Sequence, residues 1–313
     1  SSHGVLPAAV ILLPIYEAFH LLEETLTRIA TFSHKEFNLV LVEDASSDPR
    51  VLPLLREFAS KHQERVRLIE RSENGGFIAA VNDGLDHIRS DPAFQDRPVI
   101  LLNSDAFVPE GWDTRLTAPL ADPVIASVTP MSNDAEIFTV PVICSPTQLA
   151  PGQADAIDAV ARTLPDTARA TAPTGVGFCM ALSRRFLDQV PRFDTVFGRG
   201  YGEEVDWCQK VRALGGKHVA TAQLFVEHRG GQSFGNAEKQ RLIQHNSSQI
   251  TRRYPRYDTE VQDFILTDPL RTPRLLLAMA WAATEAQATQ VPIYLAHSMG
   301  GGADHWLQNR VRH

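Results

Sequence analysis

Residues 39–48 read LVLVEDASSD, and this stretch decides the fold. Leu39 to Val42 form a short apolar run of the kind buried on both faces in a parallel sheet, ended by Glu43 and Asp44. Ser46, Ser47 and Asp48 then supply N-cap chemistry before Val51, Leu54, Leu55 and Phe58, which fall on one helical face. The unit is a strand, a carboxylate at its end, and a helix.

The same pattern repeats on both sides. AVILLP at 9–14 is a first strand, followed by Phe19, Leu22, Leu26 and Ile29 at helical spacing. VRLIE (66–70) and PVILL (98–102) are the third and fourth strands, with a helix marked by Ile78, Val81, Leu85 and Ile88 between them. Strands alternating with helices predict an α/β fold with a mainly parallel central sheet. Further on, VIASVT (124–129) and VGFCMALS (176–183) read as strands, and Ile157, Val160, Ala161 and Leu164 as a helix. HVATAQLFVEH runs as a strand to His228.

In such a sheet the ligand sits outside the C-terminal ends of the strands. Those ends carry Pro14, Tyr16 and Glu17, then Asp44, then Asn74-Gly75-Gly76, then Asn103-Ser104-Asp105. All four are polar, and a pocket there is expected. LLPIYEAF has no glycine after the first strand, so a dinucleotide fingerprint is absent, and no P-loop occurs. Asp105, flanked by oxygen donors at a strand end, suits Mg²⁺ or Mn²⁺ bridging a diphosphate.

The 313 residues are 43% hydrophobic, enough for a sizeable core, and the formal net charge is −7. With no long basic block, nucleic acid is not an expected partner. Cys144, Cys179 and Cys208 are widely spaced and odd in number, which predicts reduced thiols and a cytoplasmic protein. The N-terminus does not read as a signal peptide, and the longest apolar run, Leu275 to Ala283, is far short of the roughly 20 residues that cross a bilayer. Peripheral contact with the inner face of a membrane, through basic residues such as Arg271 and Arg274, stays open.

GRGYGEEVDW at 198–207 crowds Glu203, Glu204 and Asp206 beside Trp207 after a glycine-broken loop. Acids in a first helical turn meet free N–H groups and the positive end of the dipole, so part of this charge is explained by a helix start alone.

In this order the segments resemble the inverting glycosyltransferases of glycosyltransferase family 2, with the GT-A nucleotide-sugar-binding, Rossmann-like fold, from about Ala9 to about Ser233. VILLPIYEA resembles the family's nucleoside-touching strand and loop, and LVEDASSD its base-recognition strand. RSENGGFIAAVNDGL is similar to the asparagine-glycine turn and following helix. ILLNSDAFVPEGW stands where the D-x-D metal motif falls. GVGFCMALSRRFLDQVPRFD resembles the acceptor-side strand, GYGEEVDWCQKVRALGG the acidic motif that carries the base, and VEHRGGQSF the late histidine segment. Two departures stand out: Asn103 replaces the first acid of the metal motif, and Glu17 stands where asparagine is common.

The resemblance implies a GT-A domain over 5–235 and a helical extension over 236–313. It implies Glu204 as catalytic base and Glu203, Asp206 and Trp207 on the acceptor side, although spacing with Val211 and Leu214 ranks Trp207 first as a core residue. Nucleotide-sugar contacts fall to Pro14, Tyr16, Glu17, Asp44, Asn74, Gly75, Asn103, Ser104 and Asp105. Asp105 and His228 would hold a divalent metal, Mn²⁺ or Mg²⁺. A carboxylate at Asp44 can accept the N3–H of uracil or thymine, which points to a UDP- or dTDP-sugar donor. The implied acceptor is a glycan hydroxyl, lipid-linked glycans included, in polysaccharide assembly.

Beyond Ser233, a polar helix ending near Pro255 and a helical stretch over 262–290 are expected. VPIYLAHSMGGGADHWLQNRV then resembles the first strand, turn and helix of a second, GT-B type domain. Two rival readings compete. A sugar-nucleotide pyrophosphorylase would carry a glycine- and basic-rich loop where this chain has LLPIYEAF, and a non-catalytic carbohydrate-binding module draws its support from the amide in NSD.

Overall fold

The computed structural model describes residues 6–230 and 237–286, together with residue 309. Ser233 and the strand, turn and helix expected after residue 290 lie outside the described residues.

The chain runs β1 (Val10–Ile15), α1 (Phe19–Phe32), β2 (Asn38–Glu43), α2 (Val51–Lys61), β3 (Val66–Glu70), α3 (Phe77–Ser90) and β4 (Val99–Leu102). These are the alternating units expected from the sequence. β5 (Ala106–Phe107), α4 (Trp112–Thr117), β6 (Ile125–Ser132), α5 (Gln153–Ala161), β7 (Arg169–Ala172), β8 (Cys179–Leu182) and α6 (Arg184–Gln189) follow. The last elements are α7 (Glu203–Ala213), β9 (Lys217–His228), α8 (Ala237–Arg253), α9 (Tyr257–Thr267) and α10 (Arg271–Ala286).

The strands form one sheet in the order β3-β2-β1-β4-β8-β6-β9-β5, with β7 pairing β9. β3, β2, β1 and β4 are parallel, and so are β6 and β9, whereas β8 runs antiparallel between β4 and β6. β1, β2 and β4 are buried along their whole length, which is why they read as unbroken apolar runs.

Alternation along these strands feeds two cores, one on each face. Ile11, Leu13, Leu39 and Leu41 pack with Leu22, Leu26 and Ile29 of α1 and with Leu55 of α2. Val10, Leu12, Val40 and Val42 pack with Ile78, Val81 and Leu85 of α3 and with Trp207 and Val211 of α7. A sheet covered on both sides leaves its strand ends as the open surface.

The helical extension joins these cores. Phe264, Leu270, Leu277 and Trp281 belong to the first and Ile250 to the second. Arg274, only 5% exposed, donates from α10 to the carbonyls of Ile137 and Thr139 and pairs with Asp268 at 3.0 Å. The expected helical stretch is broken into α9 and α10 at Asp268-Pro269. Among the described residues no helix is long and apolar enough to cross a membrane. The cysteines are free, Cys144 exposed and Cys179 and Cys208 buried.

Candidate active site

A cavity of about 880 Å³ opens at the strand ends, and Pro14, Tyr16, Glu17, Asp44 and Asn74 line it together with Asn103, Ser104 and Asp105. Eight of the nine expected nucleotide-sugar residues therefore share one wall system. The ninth, Gly75, supports it through its backbone N–H, 3.0 Å from Asp44.

Asp44 organises the nucleoside side. Its Oδ1 accepts from Arg71 Nε (2.9 Å) and Gly75 N (3.0 Å), and its Oδ2 from Asn74 Nδ2 (2.9 Å) and Gly76 N (2.8 Å). Gly76 has φ 90, a backbone that L side chains rarely adopt, and it is this turn that aims the two amides at the carboxylate. A carboxylate offers about four acceptor positions, and here all are met by protein donors. Asn74 Nδ2, however, also reaches the Asp44 carbonyl at 3.0 Å, so it can release Oδ2 to a ring N–H and stay paired.

Glu17 has a structural task as well. Its carboxylate accepts from the Ser47 hydroxyl at 2.6 Å and from the backbone N–H groups of Ser47 and Asp48, tying the β1–α1 loop to the β2–α2 loop. The Ser47 hydroxyl is the main reason its pKa is lowered. Tyr16, half exposed, presents an aromatic face to the cavity rim.

Asp105 and His228 meet although they are far apart in sequence. The two-residue strand β5 pairs with the end of β9, Ala106 opposite His228, and this ladder brings His228 Nε2 to 3.2 Å from Asp105 Oδ1. The imidazole stacks on Phe178 with centroids 4.9 Å apart, and its Nδ1 lies 2.7 Å from the Asp134 carbonyl. Burial, the largest single influence, disfavours its charge, but Asp105 and Asp134 together outweigh it and the pKa is raised. Next to this pair Asn103 Oδ1 is buried without a hydrogen-bond partner. A carboxylate, an imidazole and an orphaned amide oxygen fit a hard divalent cation that takes its remaining ligands from phosphate and water. Among the described residues no cluster of three or more His, Cys, Asp or Glu forms a complete protein cage.

α7, capped by Gly202, begins at Glu203 and carries the acidic motif. Glu203 is 4% exposed, and burial, then the charge of Glu204, raises its pKa well above the carboxylate norm. Glu204, raised mainly by burial, keeps an unpartnered Oε2 and packs beside the backbone of Gly177. Burial raises both carboxyls, Glu203 further by the charge of Glu204. Neither residue lines the nucleotide cavity.

The other two acceptor-side candidates are corrected. Asp206 is fully buried and held by Arg253 (2.8 Å), Tyr254 Oη (2.6 Å) and Lys210 (2.7 Å), so it anchors α8 to α7. Trp207 is 1% exposed and donates its indole N–H to the Val190 carbonyl at 2.8 Å, as the core reading had it. Neither has a free face for a sugar.

Sequence reasoning missed residues that the fold brings to this region. Glu136 follows β6 and is exposed as a residue, and crowding of its carboxyl by protein, then the charges of Glu204 and Asp134, raises its pKa. Tyr257 of α9 has its pKa raised by burial, then by the charge of Glu136. The signal for Glu136 was a further polar strand end, SNDAE after VIASVT. Arg199 and Arg229 line the cavity.

Comparison with known proteins bears on the family and the fold. The family model described as Glycosyl transferase family 2 matches residues 10–190. EpsE of Bacillus subtilis (strain 168), a protein assigned as a glycosyltransferase, is 29% identical over 85 residues. That match spans 27% of this chain and only 30% of EpsE. The mannosyltransferase PcManGT from Pyrobaculum calidifontis, solved with GDP-Man and Mn²⁺, aligns over 99% of this chain and 81% of its own. Its TM-score is 0.57 at 19% identity. GalNAc-T7, solved with UDP, GalNAc and Mn²⁺, aligns over 90% of this chain and 57% of its own, with TM-score 0.57 and 16% identity. At such identities the two structures establish the fold, which is that of GT-A glycosyltransferases.

Proposed function

The chain belongs to glycosyltransferase family 2, and on that premise we propose that it moves a sugar from a UDP- or dTDP-sugar to a hydroxyl of a glycan acceptor, inverting the anomeric centre. The observation that carries this reading is that Asp105, paired with His228, and Asn103, whose side-chain oxygen is orphaned, line the same cavity as the Asp44 turn.

Asp105, His228 and Asn103 would hold Mg²⁺ or Mn²⁺, which when bound supplies positive charge to the diphosphate. The chain's own residues do the rest. Tyr16 and the Asp44–Asn74 turn bind the nucleoside, the base pairing with the Asp44 oxygen that Asn74 can release. Glu204 Oε2 takes the proton of the acceptor hydroxyl as that oxygen bonds to the anomeric carbon from the face opposite the diphosphate. The carbon–oxygen bond to the β-phosphate breaks, its electron pair leaves with the diphosphate, and the configuration inverts. Glu203, buried beside it, orients Glu204 as the base.

A polysaccharide-assembly setting, a lipid-linked acceptor and a cytoplasmic, membrane-peripheral location belong to the same proposal. The exposed Leu266, Leu275 and Leu276 on α9 and α10 support surface contact with a membrane.

The test is a panel of UDP-, dTDP- and GDP-sugars with and without glycan acceptors, run in Mn²⁺, Mg²⁺ and chelator. Release of UDP or dTDP with a product of inverted configuration by NMR is expected. Release only from GDP-sugars would overturn the donor assignment. A nucleoside triphosphate formed with pyrophosphate would point to a pyrophosphorylase, and no turnover with retained sugar binding to a carbohydrate-binding module.

A further inference from the structure

The donor's diphosphate needs positive charge from the protein as well, and the cavity wall offers two guanidiniums for it, Arg199 and Arg229. They are not equivalent. Arg229 grips Glu24 at 2.7 and 2.9 Å and Glu227 at 2.9 and 3.2 Å, and lies 3.7 Å over the Phe107 ring. Its charge is already neutralised. Arg199 is exposed, and the partner it shows among the described residues is the neutral side-chain oxygen of Asn74. It is the guanidinium whose charge is uncommitted.

The backbone holds it there. Arg199 stands in the loop between Phe197 and α7, where Gly198, Gly200, Tyr201 and Gly202 all have positive φ. Asn246, 1% exposed on α8, donates to the carbonyls of Phe197 (2.9 Å) and Gly200 (2.7 Å), pinning the loop on both sides of Arg199. On its other side the Arg199 backbone rests against Gly76, where an added Cβ would come within 3.1 Å of the Arg199 Cα. The arginine is thus mounted on the turn that organises Asp44, on the same cavity wall system as Asp105.

We propose that Arg199 is the counterion for the donor's diphosphate, exchanging the Asn74 amide for phosphate oxygens when the nucleotide binds. The inference rests on the nucleotide-sugar reading above. A planar guanidinium suits two phosphate oxygens at once, and swapping a neutral acceptor for an anionic one strengthens each hydrogen bond. As the bond to the anomeric carbon breaks, the electron pair stays on the β-phosphate oxygen. Arg199 keeps its proton and faces that charge. Release of Asn74 Oδ1 in the exchange frees an acceptor next to the base.

Calorimetry on the full chain with UDP, dTDP and MnCl₂ tests it, with the matching nucleoside followed by saturation-transfer NMR. For whichever diphosphate binds more tightly, Arg199→Ala is expected to weaken binding by about tenfold or more, the range for losing charge-assisted hydrogen bonds. Arg199→Lys should recover part of the loss as a point charge, and nucleoside binding should be unchanged in both variants. Equal loss of nucleoside and diphosphate would mean that the loop merely shapes the cavity, and would overturn the assignment. So would a diphosphate affinity in Arg199→Ala equal to that of the wild type. If the wild type itself binds neither diphosphate, the nucleotide-sugar reading falls first and this inference with it.

Discussion

His228 Nε2 stands 3.2 Å from Asp105 Oδ1, and the other ring nitrogen of His228, Nδ1, is 2.7 Å from the Asp134 carbonyl. A carbonyl only accepts, so Nδ1 must be the donor. With Nδ1 committed as a donor, Nε2 is the ring atom left to face the carboxylate: it can donate to Asp105 when protonated, and a divalent cation can take that proton's place on its lone pair. The bond from Nδ1 to the Asp134 carbonyl fixes the ring as metal-binding histidines are usually fixed.

His228→Ala is therefore expected to raise the Mn²⁺ concentration needed for half-maximal activity by about tenfold or more. Manganese binding followed by electron paramagnetic resonance should weaken in parallel, without turnover. A titration curve that superimposes on the wild type would remove His228 from the metal site.

Glu204→Gln keeps the shape of the side chain and removes its basicity. Turnover should fall about 10²- to 10⁴-fold, the usual reach of a general base, while nucleoside diphosphate affinity holds, because Glu204 is off the cavity wall. Burial raises the Glu204 pKa above its ordinary 4.5, and the base works ionised. Wild-type kcat/KM should accordingly fall as pH drops through a value above 4.5, and that acid limb should vanish in the residual activity of Glu204→Gln. Near-normal turnover by a folded variant would sink the assignment.

Much of this site was legible because β1, β2 and β4 are buried on both faces and so read as continuous apolar runs whose polar ends mark the cavity. β5 and β7 were not legible. One has two residues and the other alternates weakly at RATA, and both owe their existence to pairing with β9. Local spacing could not separate Glu204 from Asp206, since the difference lies in Arg253 and Tyr254, which reach Asp206 from another helix. Arg199 carried no signal, being a single arginine among glycines until Gly76 and Asn246 give it a place.

Glu203 gives a stability prediction with a definite sign. Its folded pKa lies well above the 4.5 it has when unfolded, so between those values the folded state binds more protons and stability declines as pH rises. Glu203→Gln removes the cost. The variant should melt a few degrees above the wild type near pH 8, with the gain shrinking to nothing below about pH 4.5. A gain that is constant with pH would show that packing, not ionisation, is responsible.

The helices after residue 256 provide the last prediction. Phe264, Leu270, Leu277 and Trp281 lie in the same core as β1 and α1, although in sequence they read as an extension. Removing one such side chain costs about 2–5 kcal/mol, and a whole domain is stable by only about 5–15. Truncation after Arg256 removes all four together with Arg274, whose bonds to the Ile137 and Thr139 carbonyls hold the segment bearing Glu136. The truncated chain should fail to melt cooperatively. A milder variant separates packing from clamping: Arg274→Met fills the volume but leaves two buried carbonyls and the mostly buried Asp268 unpaired, and should cost about 2–4 kcal/mol by urea titration. A cooperative wild-type melt from the truncated chain would mean that the domain is complete without α9 and α10.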